Sequence, residues 1–179
     1  PAGATLFGGE LPPDEAFVGI DLLVLSPGVP PRAIRERHRA LAPDAAIHGE
    51  LSLALFCLGR HPVHAMPPLC LITGTNGKST ITALTAHLLE AAGERPFAGG
   101  NLGPAVSELT RGILFEGQPM PSQLVLECSS YQLETLPAHP SAVAMICNIS
   151  PDHLARYDSM EHYANTKTRI FAGLGDHGL

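Results

Sequence analysis

Residue types that bind phosphate groups lie together between residues 74 and 80, in the string Gly-Thr-Asn-Gly-Lys-Ser-Thr. The apolar run at residues 69–72 predicts a buried strand before this string, and the residues after it predict a helix. Glycines let backbone N–H groups turn towards an anion, the Lys78 ammonium can neutralise outer phosphates, and the Ser79 hydroxyl can bind Mg²⁺. The string therefore predicts a phosphate-binding loop. Its residues are Gly74, Thr75, Asn76, Gly77, Lys78, Ser79 and Thr80.

The spacing of this loop is shorter than the general phosphate-loop pattern, which begins with a glycine six residues before the lysine. Position 72 is Ile72, and the first glycine is Gly74. A glycine-rich turn with a lysine present by chance is the alternative. The order of strand, loop and helix favours the phosphate-binding interpretation, because that order places a helix N-terminus at the anion.

A carboxylate and an amide follow at positions that suit the same ligand. Glu127 ends the predicted strand at residues 123–126, where a carboxylate can hold nucleotide-bound Mg²⁺, although a residue at a strand end can also be simple surface. Asn101 lies among three glycines within residues 99–103, which allows close approach of a ligand or forms a tight turn. The parallel α/β pattern favours the functional reading of Glu127.

His153 follows the apolar run at residues 141–149, which predicts another strand. Its imidazole could bind a metal ion or a phosphate. Asp152 could orient this ring or could cap the turn. We expect a positioning role for His153.

Lys167 is the most unusual residue of the predicted last helix. Helical spacing puts it on one apolar face with Met160, Tyr163, Ile170 and Phe171. The lysine could extend its ammonium to solvent or pair with a carboxylate. Alternatively, burial lowers its pKa, and the neutral amine reacts with CO₂ to give a carbamate that could bind Mg²⁺.

The remaining pattern predicts an α/β fold with parallel sheets. A strand at residues 21–25 ends in the Ser26-Pro27-Gly28 turn, and a weaker strand follows at residues 45–48. Helices are predicted at residues 32–41 and 50–58, and a proline-rich linker at residues 61–68. A helix after the phosphate loop is predicted to bury Ile81, Leu84, Leu88 and Leu89. The segment at residues 111–122 predicts a loop, because it contains two glycines and two prolines.

Composition excludes several classes of protein. Hydrophobic residues make up 45% of the 179 residues and charged residues 16%, which favours a packed core over disorder. The net charge of −6, without a basic run, argues against nucleic acid as a partner. No apolar run is long enough for a membrane span. The four cysteines form no Cys-x-x-Cys pair and predict reduced thiols in a cytoplasmic protein.

Taken together, the motifs resemble the Mur ligase family of ATP-dependent amide-forming enzymes. The strings that carry the resemblance are Ser-Pro-Gly at 26–28, the loop at 74–80, Gly-Gly-Asn-Leu-Gly at 99–103, Leu-Glu-Cys-Ser-Ser-Tyr-Gln-Leu-Glu at 126–134, Asn-Ile-Ser-Pro-Asp-His-Leu-Ala-Arg-Tyr at 148–157, and the run His-Tyr-Ala-Asn-Thr-Lys-Thr-Arg-Ile-Phe ending at residue 171. They occur in the family's order and cover most of residues 21–171. The string at 126–134 favours the member that adds D-glutamate to UDP-N-acetylmuramoyl-L-alanine.

The resemblance implies roles for individual residues. The loop at 74–80 would bind ATP, and Ser79 and Glu127 would hold a first Mg²⁺. A second Mg²⁺ would be held by Glu127, His153 and a carbamate formed from CO₂ on Lys167, which makes the carbamate the preferred reading of this lysine. The residues expected to contact the UDP-muramoyl substrate are Ser26, Gly28, Asn101, Gln132 and His153. Lys78, Glu127, His153 and Lys167 would be the catalytic residues.

The resemblance also implies a domain plan. Residues 1–64 would form part of a Rossmann-like domain for the UDP substrate, with a remnant of its opening motif at most in residues 1–20. Residues 65–179 would form the first part of a P-loop ATPase-like central domain. The carboxyl-terminal domain for the incoming amino acid would be absent, so we expect a monomeric fragment that does not complete the reaction. Another family ligase, a P-loop kinase or an inactive nucleotide-binding module are the alternatives.

Overall fold

The computed structural model describes residues 12–174, whose strands form two parallel sheets. The strands are β1 (Leu22–Leu25), β2 (Ala46–Gly49), β3 (Leu69–Thr73), β4 (Phe97–Gly100), β5 (Leu124–Glu127) and β6 (Val143–Ile146). The helices are α1 (Pro31–Leu41), α2 (Glu50–Leu58), α3 (Lys78–Ala91), α4 (Val106–Glu116), α5 (Ser130–Leu133) and α6 (Met160–Thr168). This alternation is typical of α/β proteins, so the predicted fold class with parallel sheets is confirmed.

The larger sheet places the candidate residues at one edge. Its order is β4-β5-β3-β6 and all neighbouring strands are parallel, whereas β1 and β2 form a separate parallel pair. Glu127, the last residue of β5, lies opposite Ile72 of β3 on one side and Gly100 of β4 on the other. The loops that leave the carboxyl ends of these strands therefore meet at Glu127, where ligands bind in sheets of this kind.

Two clusters of buried side chains stabilise these sheets. The smaller cluster contains Phe17, Leu25 and Ile34, and the larger one surrounds β3 and β5. Helix α2 packs against α4 and adds Leu51, Leu55 and Leu58 to the larger cluster, although it precedes the predicted boundary between residues 64 and 65. Each of these leucines contributes about 1.5–3 kcal/mol through burial. The boundary itself stays a prediction.

The prediction of a loop at residues 111–122 was wrong for its first half. Helix α4 continues to Glu116 and ends at Gly117 in a left-handed conformation (φ 71°). Val106, Leu109 and Ile113 are buried at helical spacing, and Gly112 lets the Gln118 side chain pack closely. Burial against α2 therefore outweighs the low helix propensity of glycine.

Other differences concern the faces of the helices. In α3 the buried side chains are Thr82 and Ala86, whereas Leu84 and Leu88 are exposed, so the predicted apolar face was wrong for these two leucines. In α6 the prediction of a buried face is confirmed for Tyr163 and Lys167. Phe171 is exposed, because a 3₁₀ turn at Arg169–Phe171 changes the helical period after α6.

The predicted domain ends extend beyond residues 12–174. The possible remnant of an opening motif in residues 1–20 therefore lies largely outside the described residues, as do residues 175–179 of the predicted central domain. Within 12–174, no helix combines the length and the apolar character that crossing a bilayer requires.

Candidate functional site

The phosphate loop connects β3 to the N-terminus of α3, as predicted. Gly77 precedes α3 in a left-handed conformation (φ 82°), which glycine adopts at little cost. The Thr75 and Asn76 backbone N–H groups donate to the Asn148 carbonyl and side-chain oxygens, each at 3.0 Å, and fix the loop against the turn after β6. The amides left to face an anion are therefore those of residues 77–80, where a helix leaves its first N–H groups without intrahelical partners.

Both lysines of the chain lie at this loop. The Lys78 Nζ donates to the Thr75 carbonyl at 3.0 Å, so its ammonium lies over the loop. The Lys167 Nζ donates to the Gly74 carbonyl at 2.9 Å and lies 4.7 Å from the centre of the Tyr163 ring. The buried Lys167 amine thus joins α6 to the phosphate loop, and the Tyr163 hydroxyl does so as well, 3.2 Å from the Thr75 Oγ1.

Lys167 is 2% exposed. Burial, together with the nearby Lys78 ammonium, lowers the pKa of Lys167 to about 8. A neutral amine is then accessible near neutral pH, as the carbamate hypothesis requires. The contact between Lys167 and Gly74 joins residues 93 positions apart and was not predicted.

Glu127 forms the acidic centre of the site and is 1% exposed. One carboxylate oxygen, Oε1, accepts from the Asn101 Nδ2 at 2.8 Å, and the Glu127 carbonyl accepts from the Asn101 backbone N–H at 2.9 Å. Gly100 (φ 113°) allows this approach, because a Cβ at that position would collide with the Glu127 carbonyl. The predicted pair Asn101 and Glu127 is therefore brought together, with the amide oriented on the carboxylate.

A cleft of about 190 Å³ opens beside this carboxylate, between the start of α3 and the loop after β4. Ser79 and Glu127 line it together with Leu102 and Gly103. A hydroxyl and a carboxylate facing one small cleft next to a phosphate loop are the donor set that Mg²⁺ takes in nucleotide sites. The residues of the predicted first metal site therefore fit the ion.

His153, a residue of the second predicted metal site, lies in the turn after β6. His153, in a left-handed conformation (φ 53°), has its Nε2 3.5 Å from a carboxylate oxygen of Asp152 and its ring centre 5.0 Å from that of Tyr131. Among residues 12–174, no group of three His, Cys, Asp or Glu side chains could hold a metal ion. A second ion would therefore depend on the oxygens of a Lys167 carbamate.

Two of the predicted substrate residues, Ser26 after β1 and Gln132 of α5, meet at a narrow space. Ser26 and Gln132 both border a cavity of about 10 Å³, which is about the smallest that can hold one water molecule. The Gln132 Oε1 accepts from the Ser129 backbone N–H at 2.9 Å, in a capping box at the start of α5. The Gln132 Nε2 is thus the group that could donate to a ligand.

Four residues of the quoted motifs contact one another in a way that the sequence did not reveal. Arg156 contacts Glu134, Gly28 and the ring of Tyr131. These residues lie 22 or more positions from Arg156, so no local periodicity connects them. The presence of all three side chains within the strings at 126–134 and 148–157 was the only signal.

Known proteins resemble this chain in sequence. The family model described as the Mur ligase middle domain matches residues 72–179. UDP-N-acetylmuramoylalanine–D-glutamate ligase from Aromatoleum aromaticum is 45% identical over 164 residues, which is 90% of this chain and 34% of that protein. The ligase of the same name from Mesorhizobium japonicum is 40% identical over 174 residues, which is 96% of this chain and 34% of that protein. The chain spans about a third of the length of these curated relatives.

Solved structures show the same fold. UDP-N-acetylmuramoyl-L-alanyl-D-glutamate–2,6-diaminopimelate ligase superposes with a TM-score of 0.56 at 22% identity, covering 86% of this chain and 39% of that one. The MurF ligase from Thermotoga maritima in complex with ADP gives a TM-score of 0.52 at 19% identity, covering 92% of this chain and 43% of that one. At these identities the likeness concerns the fold.

Proposed function

Because the chain belongs to the Mur ligase family, through the middle domain that residues 72–179 match, we propose that the protein joins D-glutamate to UDP-N-acetylmuramoyl-L-alanine at the expense of ATP. The observation that carries this proposal is the meeting of the phosphate loop, the buried Glu127 carboxylate and the buried Lys167 amine at one edge of the sheet. The 45% identity to a D-glutamate ligase, over 90% of this chain, supports the choice of amino acid.

The proposed reaction begins when the acceptor carboxylate attacks the γ-phosphorus of ATP and ADP leaves. Both reactants are anionic. Lys78 and the amides of residues 77–80 would hold the phosphates and offset the repulsion. Mg²⁺, where bound by Ser79 and Glu127, would supply further positive charge to the phosphate oxygens. Asn101 would orient the Glu127 carboxylate through its donated hydrogen bond.

The acyl phosphate so formed reacts with the D-glutamate amine through a tetrahedral intermediate, which expels phosphate and leaves the amide bond. No covalent nucleophile from the chain is needed. Cys128 lies next to Glu127, but burial and that neighbouring carboxylate raise the pKa of its thiol to about 12. The thiol therefore stays protonated and unreactive at neutral pH.

The proposal also covers the domains, the substrate contacts and the location of the enzyme. Residues 1–64 would be part of a Rossmann-like domain for the UDP substrate, and residues 65–179 the first part of the central ATP-binding domain. Ser26, Gly28, Asn101, Gln132 and His153 would contact the muramoyl substrate. Two separate buried clusters support two domains, although α2, at residues 50–58, packs with the larger cluster. A monomer in the cytoplasm, with a second Mg²⁺ bound through the Lys167 carbamate, completes the proposal.

Phosphate release from ATP tests the function. The protein that carries this sequence, at its full natural length, receives the acceptor nucleotide and one amino acid at a time. We expect release with D-glutamate and not with L-glutamate, L-alanine or D-alanine. Release that needs no amine would favour a kinase or a regulatory nucleotide-binding module instead.

The carbamate makes a prediction about pH. At a fixed concentration of dissolved ¹³CO₂, the ¹³C NMR signal of a Lys167 carbamate should rise steeply up to about pH 8 and less steeply above it. Below the lowered pKa, each carbamate formed releases one proton from the ammonium and one from the new N–CO₂ group. Above it, the amine is already neutral and only one proton is released.

Lys167→Met provides the control for this measurement, because it keeps an apolar side chain without an amine. The signal should vanish in that variant. A signal that persists in Lys167→Met, or that does not change between about pH 6 and pH 9, would contradict the carbamate at this residue.

A further inference from the structure

Arg156 joins segments that belong to both buried clusters. Its Nε and Nη2 donate to the two carboxylate oxygens of Glu134 at 3.0 and 2.7 Å. Its Nη1 donates to the Gly28 carbonyl at 3.1 Å, and its guanidinium carbon lies 4.2 Å from the centre of the Tyr131 ring. The Arg156 guanidinium thus contacts the turn after β1, the Tyr131 ring of α5 and the Glu134 carboxylate just after α5.

The environment of Arg156 makes these contacts strong. Its side chain is 9% exposed, and that of Glu134 is 16% exposed. Paired, nearly buried charges with two parallel hydrogen bonds are poorly screened and have a fixed geometry. A lysine could not reproduce them, because an ammonium has no planar fork and does not stack on a ring in the same way.

The groups that Arg156 holds are the ones that border the proposed acceptor site. The Ser26-Pro27-Gly28 turn is closed by a hydrogen bond from the Val29 N–H to the Ser26 carbonyl at 2.9 Å. Tyr131 borders the same narrow space as Ser26, and its ring also neighbours those of His153 and Tyr157. A shift of the guanidinium would therefore change the distance between the turn and α5, and also the support of His153.

We propose that Arg156 is a positioning residue that sets the spacing between the Ser26–Gly28 turn and α5, and so determines affinity for the muramoyl acceptor without taking part in ATP binding. This inference rests on the proposed function for its substrate. The phosphate loop is held by other partners, the Asn148 backbone and side chain, so Arg156 should leave it undisturbed.

A second ion pair offers a matched control. Arg32 of α1 donates to Asp158, just before α6, at 2.8 Å, and so connects similar segments of the chain. Its side chain and that of Asp158 are 51% and 75% exposed, and neither is among the partners of Arg156. Exposed pairs of this kind contribute little to stability.

Steady-state kinetics test the proposal in the full-length protein. Arg156→Gln should raise the KM for the acceptor about thirtyfold and leave the KM for ATP within about twofold, because only the acceptor spans the turn and α5. Arg156→Lys should raise the KM for the acceptor by a smaller factor. This variant replaces Arg156→Gln in the test if Arg156→Gln does not fold. Arg32→Gln should leave both constants within about twofold. Equal increases for both substrates, or none, would overturn the proposal.

Hydrogen exchange gives a reading that does not depend on activity. The Val29 amide should exchange about tenfold faster in Arg156→Gln and at the original rate in Arg32→Gln, because only the first variant releases Gly28. Unchanged exchange in Arg156→Gln would overturn the positioning role. An unmutated protein without amine-dependent phosphate release would contradict the proposed function instead, and the exchange result would still decide the role of Arg156.

Discussion

Replacing Lys78 with alanine should lower the rate of phosphate release about a thousandfold. The Lys78 ammonium lies over the loop through its hydrogen bond to the Thr75 carbonyl, where the outer phosphates of ATP would bind at the N-terminus of α3. Removing a preorganised charge from a site of phosphoryl transfer typically costs factors of about 10² to 10³. The measurement is single-turnover phosphate transfer with saturating acceptor and ATP.

A matched variant separates this effect from damage to α3. His87 is exposed on the same helix, well away from the loop, and His87→Ala should keep the original rate within about twofold. Lys78→Ala should also raise the pKa of Lys167, because the neighbouring ammonium helps to lower it. A Lys78→Ala variant that retains a tenth or more of the activity would contradict the phosphate-loop assignment.

Replacing Lys167 with alanine should reduce activity about a hundredfold or more, and short carboxylates such as acetate or formate should restore part of it. The truncation leaves a space beneath the phosphate loop where a small anion could supply the oxygens that the carbamate would have supplied. It also leaves the Gly74 carbonyl without its partner, which should lower the free energy of unfolding by about 1–3 kcal/mol.

The specificity of that rescue is the decisive comparison. Chloride at the same ionic strength should have no effect, and carboxylates should not rescue Lys78→Ala, because a lost cation cannot be replaced by an anion. Thermal unfolding measured alongside the kinetics shows whether enough of the Lys167→Ala protein is folded. Absence of rescue in folded protein would argue that Lys167 acts through its ammonium and its contact with Gly74.

Much of the fold followed from local patterns. The short strands at Leu69–Thr73 and Leu124–Glu127 are largely buried and mostly apolar. The helix at Glu50–Leu58 is bounded by a glycine on either side, so the hydrophobic pattern and the element-ending residues agree. The second half of the helix at Val106–Glu116 was predicted as loop although its apolar residues recur at helical spacing, because the two glycines and two prolines of residues 111–122 were given more weight. One glycine serves packing and the other ends the helix.

In the candidate site, too, local sequence patterns account for some features and not for others. Candidate residues that are recognised by their type, such as Lys78, Ser79 and Glu127, could be named from their positions at strand and helix ends, and their roles stay predictions. Contacts that depend on which surfaces meet, such as Arg156 with Gly28 or Lys167 with Gly74, join residues 128 and 93 positions apart. Tertiary packing decides such pairs, and a single sequence carries no periodic signal for them.

The placement of both lysines at the phosphate loop has a practical consequence for chemical labelling. Amine-directed reagents such as activated esters usually tag many surface sites of a protein at once. Here, apart from an α-amino group, every amine of this chain lies at the phosphate loop, and one of them has a pKa of about 8. The extent of acylation, read by mass spectrometry, would therefore report directly on whether nucleotide occupies the loop.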